Sequence, residues 1–165
     1  MTGTQKLGLS ALLLIATGAV VTTVVVTAQD TPETLDPLVM HWRAADWGPS
    51  TNIPGFPAGR RNAPIATDPQ TGGPTYFSRF PAGSEFAMHW HTYTETLVVL
   101  EGSVDVTLGG KLYTADAGSY IILPARMPHG YKVPSNADVV LLARRDGPAD
   151  YFFVDPSIQD LTYQP

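Results

Sequence analysis

Residues 83–102 read Gly83-Ser84-Glu85-Phe86-Ala87-Met88-His89-Trp90-His91-Thr92-Tyr93-Thr94-Glu95-Thr96-Leu97-Val98-Val99-Leu100-Glu101-Gly102, and a second stretch reads Gly118-Ser119-Tyr120-Ile121-Ile122-Leu123-Pro124-Ala125-Arg126-Met127-Pro128-His129. The defining positions are Gly83-x5-His89-x-His91-x3-Glu95-x6-Gly102 and then Gly118-x5-Pro124-x4-His129. Imidazole nitrogen and carboxylate oxygen are ligands that borderline and hard divalent metals accept, and this spacing can close around one ion. With this chain's own His, Glu and Gly frequencies, the first half arises by chance on the order of once in 10⁴–10⁵ sequences, far rarer than a lone GxGxxG. Strand geometry accounts for the spacing: alternate side chains face one way, so His89 and His91 point together while Met88 and Trp90 point to the other face. Glu95 keeps that parity at the start of the next run, Leu97 and Val99 continue the inward face, and His129 arrives from a distant strand.

Outward from this centre, short β-rich runs recur after Thr75: Tyr76 to Phe80, Thr96 to Leu100, Val104 to Leu108, Lys111 to Thr114, Tyr120 to Leu123, Ala137 to Ala143 and Tyr151 to Val154. Turn signals such as Pro81-Ala82-Gly83, Gly109-Gly110 and Asp146-Gly147-Pro148 separate them. Such punctuation predicts an all-β domain, a single antiparallel β-barrel or small jelly roll over 75–155, with a tail at 156–165. Residues 29–74 are rich in Pro and Gly, as in Ile53-Pro54-Gly55-Phe56-Pro57, and read as an extended N-terminal arm that wraps the barrel or lies across a partner. Short extended pieces are expected within it around Leu38 to Trp42 and Ala63 to Thr67, and Phe56 is expected to be exposed. Helix is expected to be scarce.

The first 28 residues have a different texture. Lys6 precedes an uncharged run from Leu7 to Ala28, and Val26-Thr27-Ala28 offers small residues where a signal peptidase reads. A signal peptide cleaved after Ala28 is the expectation; the alternative is an uncleaved membrane anchor, since roughly 20 apolar residues span a bilayer. Thr17, Gly18, Thr22, Thr23 and Thr27 dilute its hydrophobicity. Either way the folded part is expected to be periplasmic or secreted. The formal net charge of −5 argues against nucleic acid as a partner. No cysteine is present, which rules out disulfides, thiolate chemistry and iron–sulfur clusters.

The two stretches resemble the paired motifs of the cupin superfamily, over Gly83 to Val133. The first matches at every defined position. The second keeps Gly118, Pro124 and His129 but has Arg126 where the family often has glycine and Val133 where it often has asparagine. Only 15 residues separate Gly102 from Gly118, a short spacing like that of compact microbial cupins. The resemblance implies that His89, His91, Glu95 and His129 bind one divalent cation with about two positions left open. Iron is expected if the chemistry is oxidative, and Zn, Cu, Mn or Ni suit the same ligands. It also implies a homodimer.

Around the ligands, Tyr131 and Val133 share the parity of His129. Tyr131 is either a donor to a substrate oxygen or a barrel aromatic with its hydroxyl at the rim. Arg79 is either an outward edge charge or an inward clamp for an anion. Arg126 either overhangs the pocket mouth or is a solvated turn residue. Trp90 and Tyr93 flank the ligands as packing aromatics. His41, beside Trp42, reads as an ordinary surface or packing histidine, and Glu101 as a solvated turn residue. With no clear general base, the metal is expected to carry most of any chemistry. The expected function is that of a metal-dependent, dioxygenase-like oxidoreductase acting on a small oxygenated organic molecule. A metal-dependent lyase or decarboxylase, or a non-catalytic module that binds metal or a small ligand, are the alternatives.

Overall fold

A computed structural model describes residues 34–161. The expected leader at 1–28, the start of the arm and the last residues of the tail lie outside the described residues. The described residues form ten strands: β1 Arg61–Thr67, β2 Pro74–Phe80, β3 Glu85–Trp90, β4 Glu95–Glu101, β5 Ser103–Leu108, β6 Lys111–Asp116, β7 Tyr120–Leu123, β8 His129–Lys132, β9 Val139–Arg145 and β10 Phe152–Phe153. They build two antiparallel five-stranded sheets, ordered β1-β2-β9-β4-β7 and β10-β3-β8-β5-β6. The jelly roll expected from the turn punctuation is therefore present. Helix among the described residues is limited to one 3-10 turn, Trp42–Ala44.

Alternation along the strands decides what lies inside. In β4, Glu95, Leu97 and Val99 are buried while Thr96, Val98 and Leu100 are half-buried, the period-2 pattern of a strand with one face on a core. Leu97, Val99, Val104, Val106, Leu123, Leu141 and Phe153 fill the space between the sheets. Tight turns keep the strands in register. Gly102, joining β4 to β5, has φ +77, and a Cβ there would lie 2.3 Å from the Asp138 carbonyl oxygen. Only glycine meets both demands without strain.

Two details differ from the sequence expectations. The strand Arg61–Thr67 lies within the stretch read as an arm, yet it is a full sheet strand paired with β2. Its proline explains how: β1 is an edge strand, and the register shifts between Pro64 and Ala66, so a residue without an N–H is tolerated. Phe56 is buried rather than exposed, packed against Phe86, Tyr151 and Phe153 with ring centroids 4.7, 4.7 and 5.7 Å apart. On the outer face of the β2/β9 sheet, Trp42 joins Ala63, Phe77 and Val140 in a second apolar cluster, with Trp47 packed against it.

Candidate metal centre

The strands deliver the three histidines to one end of the interior. His89 pairs directly with His129 across β3 and β8, and a bulge between Phe86 and His89 lets both of those side chains face inward. The Phe86 ring stacks on His89 at 4.0 Å. His91 follows just beyond β3, its carbonyl accepting from the Arg126 backbone N–H at 2.7 Å. All three imidazoles are buried, and each offers a ring nitrogen within 4.8 Å of the others.

Backbone carbonyls assign the protons on these rings. Nδ1 of His89 lies 2.7 Å from the Ala87 carbonyl oxygen, Nδ1 of His129 lies 2.8 Å from that of Met127, and Nδ1 of His91 lies 2.6 Å from that of Asp150. A carbonyl only accepts, so each Nδ1 carries a proton, and Nε2 is the nitrogen whose lone pair a metal would take. Those lone pairs converge: His91 Nε2 is 3.3 Å from His129 Nε2 and 3.2 Å from Glu95 Oε2. Ligands about 2.1 Å from a shared ion, at angles between octahedral and tetrahedral, stand roughly 3.0–3.4 Å apart. Nε2 of His89 is buried and has no hydrogen-bond partner among the described residues, which costs about 1–3 kcal/mol unless something binds it. The donor set, its tautomers and its spacing fit one divalent ion.

Electrostatics point the same way. Burial, reinforced by His91, lowers the pKa of His129 to about 4. His89 is lowered well below its ordinary value by burial and by His129 and His91. Both are therefore neutral at neutral pH. Burial pushes Glu95 upward, but the Arg145 guanidinium and His91 outweigh it and hold the carboxyl well below the usual range. Glu95 is an anion whose two oxygens differ in role: Oε1 accepts from Tyr76 Oη at 3.0 Å and Arg145 Nε at 3.3 Å, which leaves Oε2 toward His91.

The remaining candidates separate cleanly. Tyr131 is buried, faces the interior as its parity with His129 predicts, and its hydroxyl has no partner among the described residues. Burial and Glu95 raise its pKa well above the ordinary value, so it stays protonated. It lines a small cavity of about 20 Å³ together with Glu95, Tyr76, Arg60 and Arg145. Arg79 is elsewhere. In β2 it is Tyr76, Ser78 and Phe80 that line the interior, so Arg79 takes the opposite parity, with its guanidinium 5.0 Å from the Trp47 ring on the outer face. The inward anion-clamp reading of Arg79 is thus corrected. Arg126 is an exposed turn residue at φ +62, and Trp90 stacks on Phe152 at 4.1 Å. Tyr93 is exposed, its ring close to Gly147. His41 caps the 3-10 turn by accepting from the Arg43 N–H, and Glu101 pairs with Arg43.

Three participants escaped the sequence. Arg145 is 1% exposed and sits among His91, Glu95, Tyr151 and the Asp150 carbonyl. Its signal was present: extending the β9 parity of Leu141 and Ala143 by one step points Arg145 inward, but the charged Arg144-Arg145 pair reads as the end of a strand. Tyr76 lay on a strand whose facing parity could not orient. Asp150 acts on His91 through its backbone carbonyl, which leaves no mark in sequence.

A two-sheet antiparallel barrel with a buried, convergent histidine cluster at one end defines a class of small metal-binding β-barrel proteins. The Cupin domain profile matches residues 76–143, so this stretch of the chain is a cupin domain. Over 55 residues it is 38% identical to quercetin 2,3-dioxygenase of Bacillus subtilis, a match covering 33% of this chain but only 16% of that relative's length. Among solved structures, it is similar to a cupin 2 conserved barrel domain protein from Rhodopseudomonas palustris (TM-score 0.60, 10% identity, 69% of this chain and 80% of that one). It is also similar to the polyketide cyclase RemF from Streptomyces resistomycificus (TM-score 0.58, 18% identity, 72% and 86%). A predicted oxalate decarboxylase from Thermotoga maritima matches equally well (TM-score 0.58, 17% identity, 71% and 100%). At these identities the structures speak for the fold alone.

Proposed function

We propose that the protein holds one divalent metal ion through His89, His91, Glu95 and His129 and acts as a dioxygenase-like oxidoreductase on a small oxygenated organic molecule outside the cytoplasm. The observation that carries this reading is the convergence of three buried imidazoles, each with Nδ1 committed to a carbonyl and Nε2 turned to a common point. A bound divalent ion supplies Lewis acidity, and iron or copper adds electron exchange with dioxygen. The protein's own groups do the rest. The histidines and Glu95 occupy about four positions and leave about two for a chelating substrate. Phe80, Phe86, Leu97 and Leu141 wall the cavity and exclude bulk water, and the protonated Tyr131 hydroxyl donates to a substrate oxygen.

At about 20 Å³ the cavity holds one or two waters. Of the four proposed metal ligands, Glu95 lines this cavity. The short stretch of identity with a quercetin dioxygenase supports oxidative chemistry. One observation favours a second reading, a non-catalytic binding module: Glu95 is the sole carboxylate lining the cavity and is engaged by Arg145 and Tyr76, so no free general base faces a ligand. A metal-dependent lyase or decarboxylase would use the same centre.

The test is to identify the metal in protein as isolated and then follow oxygen uptake with diketone, flavonol, phenol and carboxylic acid panels. Substrate-dependent consumption supports the oxidoreductase; stoichiometric metal with tight ligand binding and no turnover supports the binding module. Export rests on the Met1 to Ala28 leader, and a mature N-terminus near Gln29 tests it. Homodimerisation is part of the same reading, supported by the exposed apolar Leu38, Val39 and Met40, and sedimentation tests it.

A further inference from the structure

Arg145 ends β9 directly opposite Glu95 and is almost wholly buried. A cation removed from water is costly unless paired and hydrogen-bonded. Arg145 Nε donates to Glu95 Oε1 at 3.3 Å, Nη1 donates to the Asp150 carbonyl at 2.9 Å, and the guanidinium carbon lies 4.5 Å from the Tyr151 ring centroid. These contacts fix the group from three sides. They leave Nη2 beside His91 Nε2, at 3.1 Å.

That lone pair has two claimants. Nδ1 of His91 is committed to the Asp150 carbonyl, so Nε2 is the nitrogen a metal would use. Two cations cannot share one lone pair. An ion that takes Nε2 leaves Arg145 with a buried N–H in need of an acceptor, while its Glu95, Asp150 and Tyr151 contacts hold it in place. Charge adds a second, independent requirement. Glu95 is the anion among the four side chains, and it is paired with Arg145, so a divalent ion would bring charge that nothing else at the site offsets. Arg60 supplies a further guanidinium at the wall, and no carboxylate other than Glu95 lines the cavity.

We propose that Arg145 makes the open positions of the metal centre selective for an anionic ligand, such as a carboxylate or enolate oxygen, by donating an Nη2–H to it. This rests on the metal-centre reading above and adds to it the charge of what binds. Azide serves as a small anionic probe and imidazole as a neutral one, each titrated into Co(II)-loaded protein and followed by the visible spectrum. Arg145→Gln is expected to weaken azide by about tenfold or more relative to imidazole, the loss of a charge-assisted hydrogen bond. Arg145→Lys, which keeps the charge, is expected to fall between wild type and Arg145→Gln for azide.

A measurement on the wild type alone covers variants that fail to fold. In Zn(II)-loaded protein with ¹⁵N-labelled arginine, the Arg145 side-chain signal is expected to shift when azide is added. Equal azide affinity in wild type and Arg145→Gln, or an Arg145 signal indifferent to azide, overturns the anion selectivity while the metal centre stands. A wild type that takes up no divalent ion overturns the metal centre and this inference with it.

Discussion

His91 shows how much a single residue carries. Its Nδ1 proton is held by a carbonyl 59 residues away in sequence, its Nε2 faces His129 and Glu95, and its own carbonyl anchors the turn that carries Arg126. The His-x-His spacing made the two rings legible, because parity alone turns both inward. The groups that orient them were not legible, since Arg145 sits in a charged pair and Asp150 acts through its backbone. Tyr131 was half legible: parity placed its ring, but only the structure shows a hydroxyl without a partner. Tyr131→Phe is therefore expected to leave thermal stability unchanged or raise it by up to about 1 kcal/mol, since an unsatisfied buried hydroxyl is removed. The same change should weaken binding of an oxygenated ligand about tenfold, read by calorimetry. A marked loss of stability would mean that the hydroxyl has a structural partner. At Arg126 the backbone is left-handed, with φ +62. Arg126→Gly is expected to raise unfolding free energy by about 0.5–1 kcal/mol in urea denaturation, relief of that strain outweighing the added chain entropy.

At the scale of strands and turns, the motif glycines mark the places where the chain must bend left-handed. Gly83, Gly102 and Gly118 have φ of +72, +77 and +93, so three framing positions of the sequence pattern are turn positions in the fold. The alternating burial of β4 was equally plain from Glu95, Leu97 and Val99. β1 was legible only in part: an extended piece is expected at Ala63 to Thr67, but not its place in the sheet, since proline is compatible with a strand only at an edge, and edge position is a tertiary fact. The bulge in β3 was likewise invisible: it resets parity between Phe86 and His89, which strict alternation would have placed on opposite faces. Gly102→Ala tests the turn. With the Asp138 carbonyl oxygen 2.3 Å from the new Cβ, the backbone must move, and a destabilisation of about 2 kcal/mol or more is expected in chemical denaturation. An unchanged midpoint would show that the β4–β5 connection has another conformation available.

For the whole molecule, the buried histidines tie stability to pH. His129 has a folded pKa lowered from 6.5 to about 4, so between these values the unfolded chain binds more protons than the folded one. Stability is fully present above about pH 6.5 and is lost as pH falls toward 4, by about 3 kcal/mol from His129 alone. His89 is lowered in the same direction and deepens the loss. Glu95 is also depressed, so its contribution is present above the ordinary carboxylate range and fades at still lower pH. Urea unfolding of metal-free protein at pH 7.5 and 4.5 should show this drop, and equal stability at both would mean that these imidazoles are not held neutral. The central claim is that the barrel's interior holds one metal ion on His89, His91, Glu95 and His129. Its most direct test is the metal content of purified wild type, His91→Ala and His129→Ala, measured by mass spectrometry of the elements. One divalent ion per chain, lost in both variants, is the predicted result; metal content unchanged in both would contradict it.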